Sequence, residues 1–173
     1  MKRFRYLPVA GALCLMAGAV VSAHAGPSGA KTLSAADRQH LLTDKFQTFY
    51  SSSDLPASVK AAYAAPPLAE PPPSGVKLKF PMAEPGKPWN NTDAVRDASL
   101  PFRRLIFIAN SKDYCLVSYE RGGIAYSRNA ALFHLVGKKA VMTWSGNILG
   151  RCQTLHDVRV AIKTNQYRDG GWL

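Results

Sequence analysis

The chain has 173 residues, of which 47% are hydrophobic, with 22 basic against 11 acidic side chains. That composition excludes a polar, low-complexity disordered chain. The formal charge of +11 suits an anionic partner such as lipid, lipopolysaccharide, glycan or an acidic protein, and it also serves simple solubility.

Residues 1–25 read as a cleaved signal peptide. Lys2, Arg3 and Arg5 form a positive start, LPVAGALCLMAGAVV an apolar run, and Ala23-His24-Ala25 a small-x-small cleavage site. The run is shorter than the ~20 apolar residues of a membrane-spanning helix, so no transmembrane span is expected. Cys14 departs from a lipoprotein anchor, because Leu13 stands where a small residue is required. The expected location is therefore the periplasm or the exterior, where nucleic acid is an unlikely partner. Removing 25 of 173 residues leaves 148, enough for one domain with a real core.

Residues 26–65 form an N-terminal helical segment. Ser34 and Asp37 offer a weak capping pair, and Leu42, Phe46 and Phe49 fall on one stripe, which predicts a helix at about 35–50. Pro56 and the alanine-rich run after it predict a second helix at 56–64. Residues 66–88 hold eight of the twelve prolines and read as a stiff extended strap. Within it, VKLKF at 76–80 has the alternation of an edge strand protected by lysines.

Residues 89–173 read as the sheet-containing core of the same domain. FRRLIFIA (102–109), YCLVSYE (114–120), IAYSRNAALFHLV (124–136) and AVMTWSG (140–146) are β-rich runs between turn signals, the pattern of a four-stranded antiparallel meander. LIFIA and CLV are apolar throughout, which places them centrally and covers both faces. Gly122-Gly123 suits a two-residue type I′ hairpin, pairing Tyr119 with Tyr126 and Ser118 with Ser127. In the tail, Val158, Val160 and Ile162 alternate as in a strand, whereas Leu155, Val158 and Ile162 share a helical face. Thr154 and Asp157 as a capping pair favour a helix at about 155–164. Helices before and after a sheet define an α+β fold.

With Cys14 removed, Cys115 and Cys152 remain, and export predicts that they pair, a disulfide that would stabilise the fold by about 4 kcal/mol. No G-x-G-x-x-G, Walker loop, G-x-S-x-G, H-x-x-x-H or C-x-x-C occurs, so no cofactor and no metal are expected. Asn90-Asn91-Thr92 is formally a glycosylation sequon. The polar face of the hairpin, Ser118, Glu120 and Ser127 with Arg103 and Arg104, is the candidate binding surface. Trp89, Trp144, Trp172, Lys138 and Lys139 add a less specific aromatic and basic set.

These features predict a small exported, non-enzymatic binding or accessory protein. Its partner would be another envelope protein, as for inhibitor- or immunity-type proteins, or an anionic envelope polymer. The alternative is a small secreted hydrolase of anionic polymers using Glu120, Arg121 and His134. General acid–base catalysis would then require Glu120 and a histidine, or Asp157, within hydrogen-bond reach of one another.

Overall fold

The computed structural model describes residues 32–64, 81–92, 95, 97–123 and 125–170. The leader at 1–25, the strap residues 66–80 with VKLKF, and Trp172 lie outside the described residues. In chain order the elements are α1 (Ala35–Thr43), β1 (Gln47–Phe49), a short 3-10 turn (Ser52–Asp54), α2 (Ala57–Ala64), β2 (Arg103–Asn110), β3 (Tyr114–Arg121), β4 (Ser127–Val136), β5 (Lys139–Ile148), α3 (Leu155–Lys163) and β6 (Tyr167–Asp169). The strands make one sheet in the order β1-β2-β3-β4-β5-β6, each antiparallel to its neighbours. The fold is α+β as expected, but the meander has six strands rather than four.

Strand alternation sorts the apolar side chains into two cores. On one face, Phe107, Leu116, Leu132 and Trp144 pack under α1 and α3 through Leu41, Val158 and Ile162. On the other, Ile108, Val117, Tyr119 and Phe133 pack under α2 through Val59 and Tyr63. β3 is buried on both faces from Tyr114 to Glu120, which makes it the axis of the molecule.

Local chemistry sets the helix limits. Ser34 Oγ accepts the Asp37 amide at 3.0 Å and starts α1. α1 stops at Thr43 instead of running to residue 50, because Arg159 of α3 donates to the carbonyls of Leu41 at 2.8 Å and Asp44 at 2.6 Å. Those carbonyls would otherwise need helical partners further along, or water. The chain is then released into β1, where Phe46 joins the α1/α3 core and Phe49 the α2 core. The supposed helical stripe is thus split between two faces of the sheet.

α3 forms with its capping box, Thr154 and Asp157 each bonding the other's backbone. It ends in a Schellman turn, with Gln166 N–H donating to Ala161 O at 2.8 Å and Asn165 at φ 55°. That turn swings the chain back to form β6. Asp169 of β6 accepts from Trp144 Nε1 at 2.7 Å and from the Leu33 amide at 3.1 Å, tying both ends of the described chain together.

The expected disulfide does not form. Cys115 and Cys152 are buried reduced thiols. Cys115 lies on the α2 face beside Val117, and Cys152 belongs to the opposite core, against Ser118. A sheet stands between them, and a disulfide requires Cβ atoms about 4 Å apart. Burial pushes the Cys115 thiol up to about 12 and the Cys152 thiol up to about 11.

The β3–β4 hairpin also differs from expectation. Arg121 pairs with Ser127, Tyr119 with Asn129 and Ser118 with Ala130, so the connection is five residues long rather than two. Gly123, at φ 99°, serves the turn, whereas Gly122 has another task. Its amide donates to Phe102 O at 2.8 Å. A Cβ on Gly122 would stand 2.1 Å from Asn90 O, so the glycine admits a neighbouring loop. The three-residue change of register is odd, and it therefore moves Ser127 to the face opposite Ser118 and Glu120.

Candidate functional site

The loop seated on Gly122 is organised by Asn90. Its Nδ2 donates to Asp97 O at 2.8 Å and Leu100 O at 2.9 Å, and its amide donates to Pro101 O at 2.9 Å. Asn90 is buried with its side-chain nitrogen engaged, which closes the sequon to modification in the folded protein. Just before it, Glu84-Pro85-Gly86-Lys87 has proline second, Gly86 at φ 75° and Lys87 N–H donating to Glu84 O at 3.0 Å, the pattern of a type II turn. Glu84 is held in turn by the amide of Ser52 at 3.0 Å and by the Ser52 hydroxyl. Ala83 bridges β2, its amide donating to Arg103 O at 2.8 Å. Residues 83–91 are therefore fixed along the outer end of β2.

Against this loop the sheet places Arg104, Glu120 and Arg128 in register across β2, β3 and β4. Arg104 donates to Glu120 Oε2 from Nε at 2.7 Å and from Nη2 at 2.6 Å. The other carboxylate oxygen accepts the Tyr126 hydroxyl at 2.7 Å. That hydroxyl accepts from Arg128 Nε at 3.2 Å, and Arg128 Nη1 donates to Gly150 O at 3.1 Å. Burial and the bond to Glu120 raise the Tyr126 phenol above its ordinary value. Glu120 is only 7% exposed, so one carboxylate inside the protein fixes two guanidinium groups and a phenol.

The outer surface of this cluster is aromatic. The Arg104 guanidinium lies 5.1 Å from the Trp89 ring centroid and that of Arg128 5.6 Å from Tyr126, while the two aromatic rings are 6.2 Å apart. Between Trp89 and the Gly86 turn runs a groove of about 420 Å³, lined by Lys87, Pro88, Trp89, Asn91, Leu100 and Arg104 among others. Among the described residues no acidic side chain lines it.

The sequence-predicted residues are dispersed. Glu120 and Arg104 meet, as described. Arg121 and Arg103 pair in register on the opposite face, where buried Arg103 lies 6.0 Å from the Tyr119 ring centroid. Ser127 accepts from Asn129 at 2.9 Å on that face as well. Ser118 is buried, its hydroxyl 3.1 Å from Cys152 Sγ and 3.3 Å from Cys152 O.

His134 pairs with Tyr114 at the far end of β3, six residues from Glu120. Its ring stacks on Tyr114 at 4.9 Å, and His40 covers the other side of Tyr114 at 4.5 Å. Asp157 is taken by the α3 cap. Glu120 thus has no histidine or second carboxylate beside it among the described residues, and its oxygens are committed to Arg104 and Tyr126. Among the described residues no group of three histidine, cysteine or acidic side chains is disposed to hold a metal ion.

Tyr126, Arg128 and Lys87 were missed at the sequence level. Tyr126 and Arg128 depend on the five-residue connection, which the double glycine disguises. Lys87 carries a readable signal, because Glu-Pro-Gly-Lys is a turn sequence that presents its fourth residue.

Comparison of the chain with protein-family models, with curated proteins and with solved structures finds no match.

Proposed function

We propose that this chain is a small exported, non-enzymatic binding protein that holds an anionic group of another envelope molecule in the groove between Trp89 and Arg104. One observation carries this reading: the groove joins Arg104 and Lys87 to the aromatic wall of Trp89, with no acidic side chain among the described residues of its lining. Glu120, which orients Arg104, approaches it from within the sheet and takes only Nε and Nη2. Among the described residues no acceptor engages Nη1, which is available to an outside acceptor. A guanidinium held rigid before binding loses less conformational freedom when the ligand arrives.

Export rests on the basic and apolar leader ending at Ala25 and not on the cysteines, which are unpaired. Among the described residues no helix is long and apolar enough to cross a membrane. The hydrolase alternative draws no support from the geometry, since Glu120 and Arg121 face opposite sides of the sheet and His134 is committed to Tyr114.

The test is salt-dependent retention of the processed chain on immobilised polyglutamate, polyuronate and sulfated glycan. Retention on at least one matrix is expected, with Arg104→Ala and Lys87→Ala eluting at lower salt. Elution of both variants together with the wild type on every matrix would overturn the proposal. Fractionation of cells expressing the full chain tests export: an unprocessed chain confined to the cytoplasm would end that part of the reading.

A further inference from the structure

We infer that the anionic group is a carboxylate carried on a saccharide ring, so that the groove takes a uronic-acid-type residue of an envelope polysaccharide. This rests on the proposed function and narrows its ligand.

Size comes first. About 420 Å³ lies at the small end of the ~300–1,000 Å³ typical of small-molecule sites, room for one or two rings. The lining is divided: Pro88, Trp89 and Leu100 offer an apolar wall, and Lys87, Asn91 and Arg104 offer donors. Inorganic phosphate or sulfate would use only the donors and leave the indole and proline facing water. An aspartate or glutamate side chain brings a charge but almost no flat apolar surface. A carboxylated pyranose has a C–H face for Trp89, hydroxyls for the Asn91 amide and a carboxylate for the cationic side.

The state of Arg104 supports a carboxylate over a doubly charged group. Two of its N–H groups already serve one oxygen of Glu120, so its charge is partly balanced while its remaining N–H groups keep donor capacity for one carboxylate. Lys87, exposed at the end of its turn, adds one mobile charge. One singly charged ligand balances that pair. The Arg104 guanidinium also lies 5.1 Å from the Trp89 ring centroid, a contact that helps hold the indole in place.

The experiment is isothermal titration of the processed chain with a uronic acid tetrasaccharide, its neutral hexose counterpart, a tetraglutamate peptide and inorganic phosphate. The uronate should bind most tightly, with the other three at least about tenfold weaker. Arg104→Ala should weaken uronate binding by about 10- to 100-fold, the worth of one charge-assisted hydrogen bond. Trp89→Ala should weaken the uronate and leave weak phosphate binding unchanged. Because Trp89 also packs on Arg104, Lys87→Ala gives a second variant at an exposed position, expected to keep the wild-type melting temperature and lose affinity for uronate. Tetraglutamate or phosphate binding as tightly as uronate would overturn the ring inference while the proposed function stood. Tight binding of the neutral sugar alone would overturn both, as would the absence of binding by all four ligands together with no retention on any anionic matrix.

Discussion

The two ends of β3 are built from different chemistry. At the Tyr114 end, three rings are stacked, His40 on Tyr114 on His134, and α1 lies over them. At the Glu120 end, a buried carboxylate gathers Arg104, Tyr126 and, through it, Arg128, and the cover is a loop admitted by a glycine. The first end is closed by a helix and holds its polar atoms locally. The second keeps cationic groups at the surface beside a groove. A strand buried from Tyr114 to Glu120 is thus covered by stacked rings at one end and holds a buried carboxylate beside a surface groove at the other.

The most severe test of that contrast is alkaline pH, because a thiol lies near each end. Folding raises Cys115, near Tyr114, up to about 12 and Cys152, beside Ser118, up to about 11, from an ordinary value near 9. Both contributions to stability are complete below pH 9, where the unfolded thiols are also neutral, and are lost as pH rises through the folded values. The slope is about 1.4 kcal/mol for each pH unit by which folding raises a thiol. Denaturant melts from pH 8 to 11 should show steep loss, and a flat profile would refute this burial. Cys152 should also be alkylated before Cys115, because the Ser118 hydrogen bond and Arg128 partly offset its burial.

Gly122→Ala comes next. A methyl group 2.1 Å from Asn90 O must displace the loop, at a cost of about 3 kcal/mol. Chemical denaturation measures that cost, and ligand titration of the folded variant should show the groove weakened. Glu120→Gln should cost about 2 kcal/mol, less than a fully buried ion pair because Arg104 is partly exposed. It should also reduce ligand affinity by loosening Arg104, a result that no substitution at the Tyr114 end should reproduce.

Tyr114→Phe is the matching change at the closed end. The Tyr114 phenol is raised by burial first and then by Asp37, to which it is also hydrogen-bonded. Loss of that bond should cost about 1 kcal/mol and leave binding unchanged. A binding defect in Tyr114→Phe would show that the two ends are coupled. The smallest effect belongs to Asp97 in the loop, whose carboxyl is held below its ordinary value by the Ser99 hydroxyl and amide. Its contribution is present above the ordinary carboxylate value and disappears as pH falls through the depressed one. Ser99→Ala should move the Asp97 titration, followed by NMR, back toward 3.8.

Much of this fold was legible where a signal repeats locally. The four long strands announced themselves by β-branched and aromatic runs between turns, and α3 by its capping pair and apolar face. β1 and β6, of three residues each, carry too few positions for any periodicity. β1 was hidden inside a run that also fits a helix. The candidate site was legible only in part. Glu120 and Arg104 were visible as charges near a hairpin, and their partners Tyr126 and Arg128 depended on a register that the glycines misreport. Nothing local distinguishes a glycine needed for positive φ from one needed for a close approach.

The amino-acid sequence alone determined the α+β class, the long strands, the capped helices and which side chains of β3 share a face, because these follow from alternation and short-range hydrogen bonds. Only the tertiary structure decided that Cys115 and Cys152 stand on opposite sides of a sheet, that Arg159 ends a helix more than 100 residues away, and that Glu120 braces Arg104 beside Trp89. Each of those outcomes depends on the hydrogen-bond register between strands and on which loop a glycine lets through. Both are set by contacts between segments distant in the chain.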